Sequence, residues 1–534
     1  MSLAELSEQP GKVATIETEC PYIEDPLTTF KRLCHQKTNA MLLESAEIDS
    51  KNSTNSLLLV DAALKLVCRG HKVAVSALSD NGLPVLQFLA QQLTRLPDAV
   101  IEQQEQSLAV TFTAADEFLD EDARLKSASV FDVLRILQSD LVALSNHPMA
   151  IFVGGTFAYD LLATFETLPQ VAEGDNDCPD YVFYLAETLI TIDHQQKSSR
   201  MLGSVFSGEQ VAQSYFQLSQ RIEFLKQQLQ TNVEDIAAAT IPGNISDELK
   251  VNQSDAQYCQ HVLDLKENIL AGDIFQVVPS RTFSLPCPST YNAYHELKNS
   301  NPSPYMFYIQ DSDFVIFGAS PESALKYQKD SNVVEVYPIA GTRPRGKRQD
   351  GSIDHDLDSR IELTLREDDK EKSEHLMLVD LARNDIARVS IPGTRHVKDL
   401  LKVDRYSHVM HLVSRVVGQL REDLDSLHAY QACMNMGTLV GAPKVKAATL
   451  IREVEQHRRG SYGGAVGYIN GHGDMDTCIV IRSAFVKNGM AYVQAGAGVV
   501  YDSDPQSEAD ETRGKAQAVI SAIQQANRKS TQEA

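Results

Sequence analysis

The order of apolar and polar positions divides the chain into short strand-like and helix-like segments. Asn39–Ser45 (NAMLLES) predicts a short strand ending in polar residues. Ser56–Arg69 (SLLLVDAALKLVCR) fits a strand or a helix, because an apolar run alone does not separate the two. Met149–Asp160 (MAIFVGGTFAYD) predicts a strand interrupted by a double glycine, and Gln210–Gln230 has helical periodicity. The stretch that follows is polar, carries several acids and contains Pro242–Gly243, which reads as a connection between domains. The predicted organisation is an N-terminal domain over 1–230, a connecting segment over 231–257 and a C-terminal domain over 258–534.

The second half carries denser signals. Asp255–Ala271 predicts a helix and Asp273–Ser280 a strand; Phe307–Gly318 and Val333–Tyr337 predict further strands. Gly341–Gly351 reads as a Gly/Arg-rich turn and Asp356–Arg388 as one charged helix. Pro443–Glu455 opens with proline at a first helical position. Strands near Gly464–Asn470, Thr477–Val486 and Ala491–Tyr501 precede a last helix from Pro505, which Asp504 caps. Strands and helices do not alternate strictly, so the fold class is α+β with largely antiparallel sheets.

Charge changes this picture. The chain has 534 residues, 43% apolar and 23% charged, and a net charge of −23. A chain this acidic is a poor partner for nucleic acid or an anionic membrane, so an anionic substrate would need a locally basic or metal-bearing site. Eight scattered cysteines without a C-x-x-C pair argue against a disulfide scaffold or a zinc site. The start has no basic region followed by an apolar stretch, and no run of about 18 apolar residues occurs. A cytoplasmic protein is expected.

Two carboxylate pairs stand at i, i+3 on predicted helices. Glu371 and Glu374 share a face with Leu378 and Leu381; Glu508 and Glu511 share one with Lys515, Val519 and Ile523. Inward carboxylates need a partner, and converging hard oxygens suit Mg²⁺. The spacing alone fits equally the end of the charge run Arg366–Lys372. Gly341–Thr342, Gly437–Thr438, Gly460–Gly464 and Gly496–Ala497–Gly498 are turns that could cradle a carboxylate, or plain hairpins and bulges. Arg482 lies among apolar residues in a predicted strand, which is costly unless it grips an anion. His408 and His411 sit beside apolar neighbours, where a core role is the simpler reading. There is no G-x-S-x-G, P-loop, dinucleotide fingerprint or H-E-x-x-H.

Together these segments resemble the chorismate-binding enzyme family, most closely its anthranilate-forming members. The resemblance is carried by PIAGTRPRG (338–346), EHLMLVDLARND (374–385), MGTLVGAPK (436–444), RGSYGGAVGY (459–468), IRSAF (481–485) and QAGAGVVYDSDPQSE (494–508). LLESAEI (42–48) and GGTFAYDL (154–161) extend it into the first half. It implies two large, mainly antiparallel sheets packed together with helices outside. It also implies a Mg²⁺ held chiefly by Glu374 and Glu511, with Glu371 and Glu508 in support, binding the ring carboxylate of chorismate. Gly341, Thr342, Tyr462, Arg482 and Gly496, Ala497 and Gly498 would hold the two carboxylates and the enolpyruvyl arm, with Lys515 near the metal.

The implied reaction is attack of ammonia on C2 while the C4 hydroxyl leaves, then loss of pyruvate and aromatisation. Glu322 in SPES (320–323) matches the general acid and His411 the residue assisting the second step. Thr438, in the matched MGTLVGAPK segment, and Gln276, in DIFQVV, are placed with them among the catalytic positions. Members that add water carry Lys at the position of Gln276, and members making the para-amino isomer carry Lys at the position of Ala340. No glutaminase signature is present, so the resemblance implies a separate class I glutamine amidotransferase subunit, in a heterotetramer of two plus two. Glu44, Ser45, Pro304, Tyr305 and Met306, with Val466 and Tyr468, match a tryptophan feedback site, much of it in the N-terminal domain. The chain contains no tryptophan, which suits a protein made when tryptophan is scarce. It departs from the family at Met434–Asn435–Met436, where many members read Phe-Pro-Ala.

Overall fold

The computed structural model describes residues 3–35, 37–45, 55–96, 98–116, 118–230, 248–406 and 409–532. His408 and positions 231–247 of the predicted connecting segment lie outside them. The fold is α+β and mainly antiparallel, as expected. Among the described residues, 23 strands form one continuous hydrogen-bonded network. Its ladders are antiparallel except where Lys12–Val13 runs beside Val142–Ala143.

The ambiguous run 56–69 is a long strand, Asn55–Arg69, paired with Ala40–Glu44, Lys72–Ala77 and Tyr181–Asp193. Its continuous apolar character follows from burial on both faces. Strands from the two halves of the chain interleave. Ala40–Glu44 pairs with Tyr305–Gln310, and Phe152–Phe157 with Ala465–Asn470. A separate two-stranded ladder joins Gln276–Val277 to Gly441–Ala442.

Three predicted elements are broken where polar residues offer the backbone an alternative. The long charged helix is two, His355–Glu367 and Asp369–Ala387, because the Asp368 side chain caps the second by accepting from the Glu371 N–H. Phe307–Gly318 is a hairpin, Tyr305–Gln310 and Val315–Ser320, turning at Asp311–Phe314. Thr477–Val486 is two strands, Met475–Ile479 and Ser483–Lys487. Arg482 lies in the gap between them with φ of +50°, so it is not mid-strand.

The last helix, Pro505–Gln532, buries Ala516, Val519 and Ile523 in the core beneath Ser280–Pro286 and Met490–Gly496. Glu508, in its first turn, is buried and near enough to Glu374 to act on its charge. Met434 and Met436 are buried in another apolar cluster with Tyr430 and Tyr462, and the Asn435 amide donates to the Tyr159 carbonyl at 2.7 Å. The unusual triplet thus packs solidly behind Thr438. Among the described residues, no helix is long and apolar enough to cross a membrane.

Candidate active site

Glu322 lies in the turn between the strands Val315–Ser320 and Ser323–Gln328 and is buried. Its N–H reaches the Ser320 hydroxyl at 3.3 Å and its carbonyl accepts from Ile479 N–H at 3.0 Å, which fixes the turn. The carboxyl accepts a 2.9 Å hydrogen bond from Thr438, which sits in the one-turn helix Gly437–Val440. Burial pushes the Glu322 pKa up to about 8, against the opposing pull of Thr438, Lys515 and Arg482. At neutral pH it therefore holds a proton.

His411, in the strand Val409–Gln419, is buried opposite Thr342, whose hydroxyl lies 2.9 Å from Nδ1. Burial, with the nearby Arg482 and Lys515 charges, pushes its pKa down to about 4, so the ring is neutral. Gly341 precedes Thr342 at a bulge with φ of +82°. The positive φ favours glycine, and a Cβ there would stand 3.1 Å from Glu371 Oε2 and 3.2 Å from Leu365, close enough to press on both side chains.

The four glutamates approach from two helices. Burial pushes Glu374 up to about 7, and Glu371, Glu508 and Glu511 add to the effect. Glu508 is also raised, by burial and by Glu511. For Glu511 burial is outweighed by Lys515, at 2.6 Å, and by Arg482 and Lys370, so its pKa is lowered. Glu371 is engaged by Arg343 at 2.7 Å. This is a set of hard oxygen donors, three of them also facing Arg343, Lys515 and Lys370, which fits a divalent cation in kind. Among the described residues, however, no three His, Cys, Asp or Glu side chains are placed to hold one ion together. Mg²⁺ that keeps waters and takes oxygens from its substrate needs only one or two of them.

Facing the carboxylates, Lys515 Nζ also donates to the Gly496 carbonyl at 3.0 Å. Among the described residues no carboxylate comes within 4.0 Å of the Arg482 guanidinium, and its pKa is lowered by burial. A half-buried cation without an ion-pair partner is suited to an anionic ligand. Tyr462 is buried, with its hydroxyl 3.2 Å from where a Cβ on Gly496 would be. The Ala497 N–H is already used by the Pro279 carbonyl at 3.2 Å. Gln276 is buried with its amide nitrogen 2.6 Å from the Cβ position of Gly498, and its Oε1 has no partner. The predicted catalytic and substrate residues thus form one connected constellation. Arg343, which holds Glu371, had no predicted role, although it lies inside the recognised GTRPRG segment.

The seven residues matched to a feedback site do not join this constellation. Glu44, Ser45, Pro304, Tyr305, Met306, Val466 and Tyr468 all line one separate cavity of about 770 Å³. The Glu44 carboxylate accepts from Tyr294 at 2.8 Å and pairs with Lys298 at 2.6 Å. Pro321 and Ser323 line the same cavity on either side of Glu322. Tyr406 lines it too, and its ring packs edge-on against His411 at 5.2 Å. The cavity and the catalytic groups share a wall.

A family profile described as chorismate binding enzyme matches residues 96–521, most of the chain. The chain belongs to the chorismate-binding enzyme family. It is 60% identical over 518 residues to anthranilate synthase component 1 of Vibrio cholerae, covering 97% of each chain. It is 56% identical over 519 residues to the protein of that name from Escherichia coli K12, covering 97% of this chain and 98% of that one. Among solved structures, anthranilate synthase component I from Streptococcus pneumoniae is similar, with a TM-score of 0.66 and 28% identity, covering 93% of this chain and 97% of that one. The menaquinone-specific isochorismate synthase of Escherichia coli shares the fold, with a TM-score of 0.64 at 18% identity over 98% of this chain and 97% of that one.

Proposed function

We propose that this chain converts chorismate and ammonia to anthranilate and pyruvate, as the names of its relatives suggest. The observation that carries this reading is the pairing of a buried, protonated Glu322 with a neutral His411 beside a cluster of four glutamates and the cations Arg482 and Lys515. Ammonia forms a bond to ring C2 as the C4–O bond breaks. The departing hydroxyl takes the Glu322 proton and leaves as water, a step for which general acid catalysis is worth about 10²–10⁴. Thr438 orients the acid by donating to its Oε1. In the second step the C2 proton is removed as the bond between ring C3 and the enolpyruvyl oxygen breaks, giving the aromatic ring and enolpyruvate, which takes up a proton to become pyruvate. Neutral His411, oriented by Thr342, is able to accept a proton there.

Glu374 and Glu511, supported by Glu371 and Glu508, would hold Mg²⁺, which supplies charge neutralisation for the ring carboxylate. Arg482 and Tyr462 would take the second carboxylate. Gln276 offers an amide where a base for water would stand, and Ala340 offers no nucleophile; both favour ammonia and the ortho product. A glutamine amidotransferase subunit would supply the ammonia in a heterotetramer, and tryptophan would bind the 770 Å³ cavity as feedback inhibitor.

The test is anthranilate fluorescence from the purified chain with chorismate, an ammonium salt and Mg²⁺ at alkaline pH, repeated with chelator and with tryptophan. Production abolished by chelator and inhibited by tryptophan supports all three parts. No product with tryptophan still bound contradicts the catalytic reading and leaves a tryptophan sensor.

A further inference from the structure

Glu455 and Arg459 form a buried ion pair, with each side chain 1% exposed, behind the constellation just described. Every guanidinium nitrogen is used. Nε donates to Glu455 at 2.9 Å and Nη2 at 2.5 Å, while Nη1 reaches the Leu439 carbonyl at 2.9 Å and Nη2 also the Val278 carbonyl at 2.7 Å. Its flat faces meet Tyr159 at 4.6 Å and Tyr462 at 5.7 Å. Glu455 in turn accepts from the Ser280 N–H and hydroxyl, both at 2.7 Å, and Ser280 pairs with Gly496 in the sheet.

The targets are specific. Leu439 follows Thr438 directly, Val278 lies two residues after Gln276, and Tyr462 faces the Gly496 backbone. These site residues come from separate chain segments, and one planar group touches the immediate support of each. A buried ion pair adds little stability over an apolar pair of equal volume, whereas the fork of an arginine fixes several carbonyls in one plane.

We propose that Arg459, held flat by Glu455, is a positioning residue that sets Gln276 and Thr438 in register, so that nucleophile entry and proton delivery by Glu322 share one reference. The inference rests on the ammonia-dependent reaction proposed above. Lysine at this position keeps the charge opposite Glu455 but cannot reach both carbonyls.

The test is Arg459→Lys in the full chain, assayed with chorismate, ammonium chloride and Mg²⁺, with thermal unfolding followed alongside by circular dichroism. A misplacement of about 1 Å costs on the order of 10²-fold, so kcat is expected to fall about 30- to 100-fold. The KM for ammonia is expected to rise about tenfold or more while that for chorismate changes less than about threefold, in a chain that still unfolds cooperatively. A merely structural role would scale activity with the folded fraction and move neither KM; that result, or kcat and ammonia KM both within about twofold of wild type, overturns the proposal. If Arg459→Lys does not fold, Glu455→Gln loosens the same group from its other side. It should raise the ammonia KM about threefold or more, and an unchanged value overturns the proposal. A wild-type chain silent with chorismate and ammonia contradicts the reaction and this inference with it; an active wild type with unaffected variants contradicts the inference alone.

Discussion

Replacing Glu322 with Gln removes the transferable proton and keeps the shape and the acceptor for Thr438. The carboxyl titrates at about 8 in the folded chain, against an ordinary 4.5, with burial as the main cause. Between those two values the folded state holds a proton that the unfolded state has lost. Stability is therefore highest below 4.5 and declines as pH rises through the window to about 8. At 1.36 kcal/mol per unit, keeping this acid buried costs about 3 kcal/mol at pH 7 and about 5 kcal/mol above pH 8. Glutamine avoids that cost. For 534 residues the unfolding entropy is about 1.1 kcal/mol/K, so Glu322→Gln should raise the melting midpoint by about 3 °C at neutral pH, and by more at higher pH. The same variant should lose about 10²–10⁴ in kcat, equivalent to about 3–5 kcal/mol of barrier. The assays are anthranilate fluorescence at fixed free ammonia and calorimetric melting across a pH series. Wild type should lose rate about tenfold per unit above about pH 8, and the variant should lack that limb. A variant that is less stable than wild type, or that keeps more than about a tenth of the rate, would show that Glu322 is not the buried general acid.

Glu511→Gln should abolish Mg²⁺-dependent turnover while leaving tryptophan binding, measured by calorimetry, nearly unchanged; unchanged turnover removes the metal assignment. Gly341→Ala forces a side chain into the +82° backbone against Glu371 and should cost about 1–2 kcal/mol of stability and at least about tenfold in kcat/KM; melting and rate read both. His411→Ala should slow loss of pyruvate more than addition of ammonia, so the amino intermediate accumulates and is seen by chromatography. Replacing Ser45, on the cavity wall, should relieve tryptophan inhibition with little loss of rate; retained inhibition would show that tryptophan binds elsewhere.

Much of this constellation was legible in the sequence, because its residues sit in recognisable local segments. Glu322 in SPES and Thr438 in MGTLVG are far apart in the chain, yet each is marked by its own motif, and the fold brings them to 2.9 Å. Periodicity located the final helix and put Glu508 on its buried face. It failed at Asp368 and Arg482, where a cap and a positive φ interrupt runs that read as continuous. Supporting contacts were harder to see. Glu455 and Arg459 stand at helical i, i+4 spacing, which reads as an ordinary surface pair, and only the long-range carbonyls of Val278 and Leu439 reveal its burial. The interleaving of strands from both halves is likewise set by pairing such as Glu44 with Met306, which no local pattern announces.

The fate of the nitrogen tests the ammonia-dependent reaction. The purified chain is given chorismate, Mg²⁺ and ¹⁵N-ammonium, without any partner subunit, and the products are resolved by chromatography and mass spectrometry. The expected products are pyruvate and an equal amount of ortho-aminobenzoate carrying the heavy nitrogen. A para-amino product, a hydroxylated product without nitrogen, or unreacted chorismate would contradict that reaction.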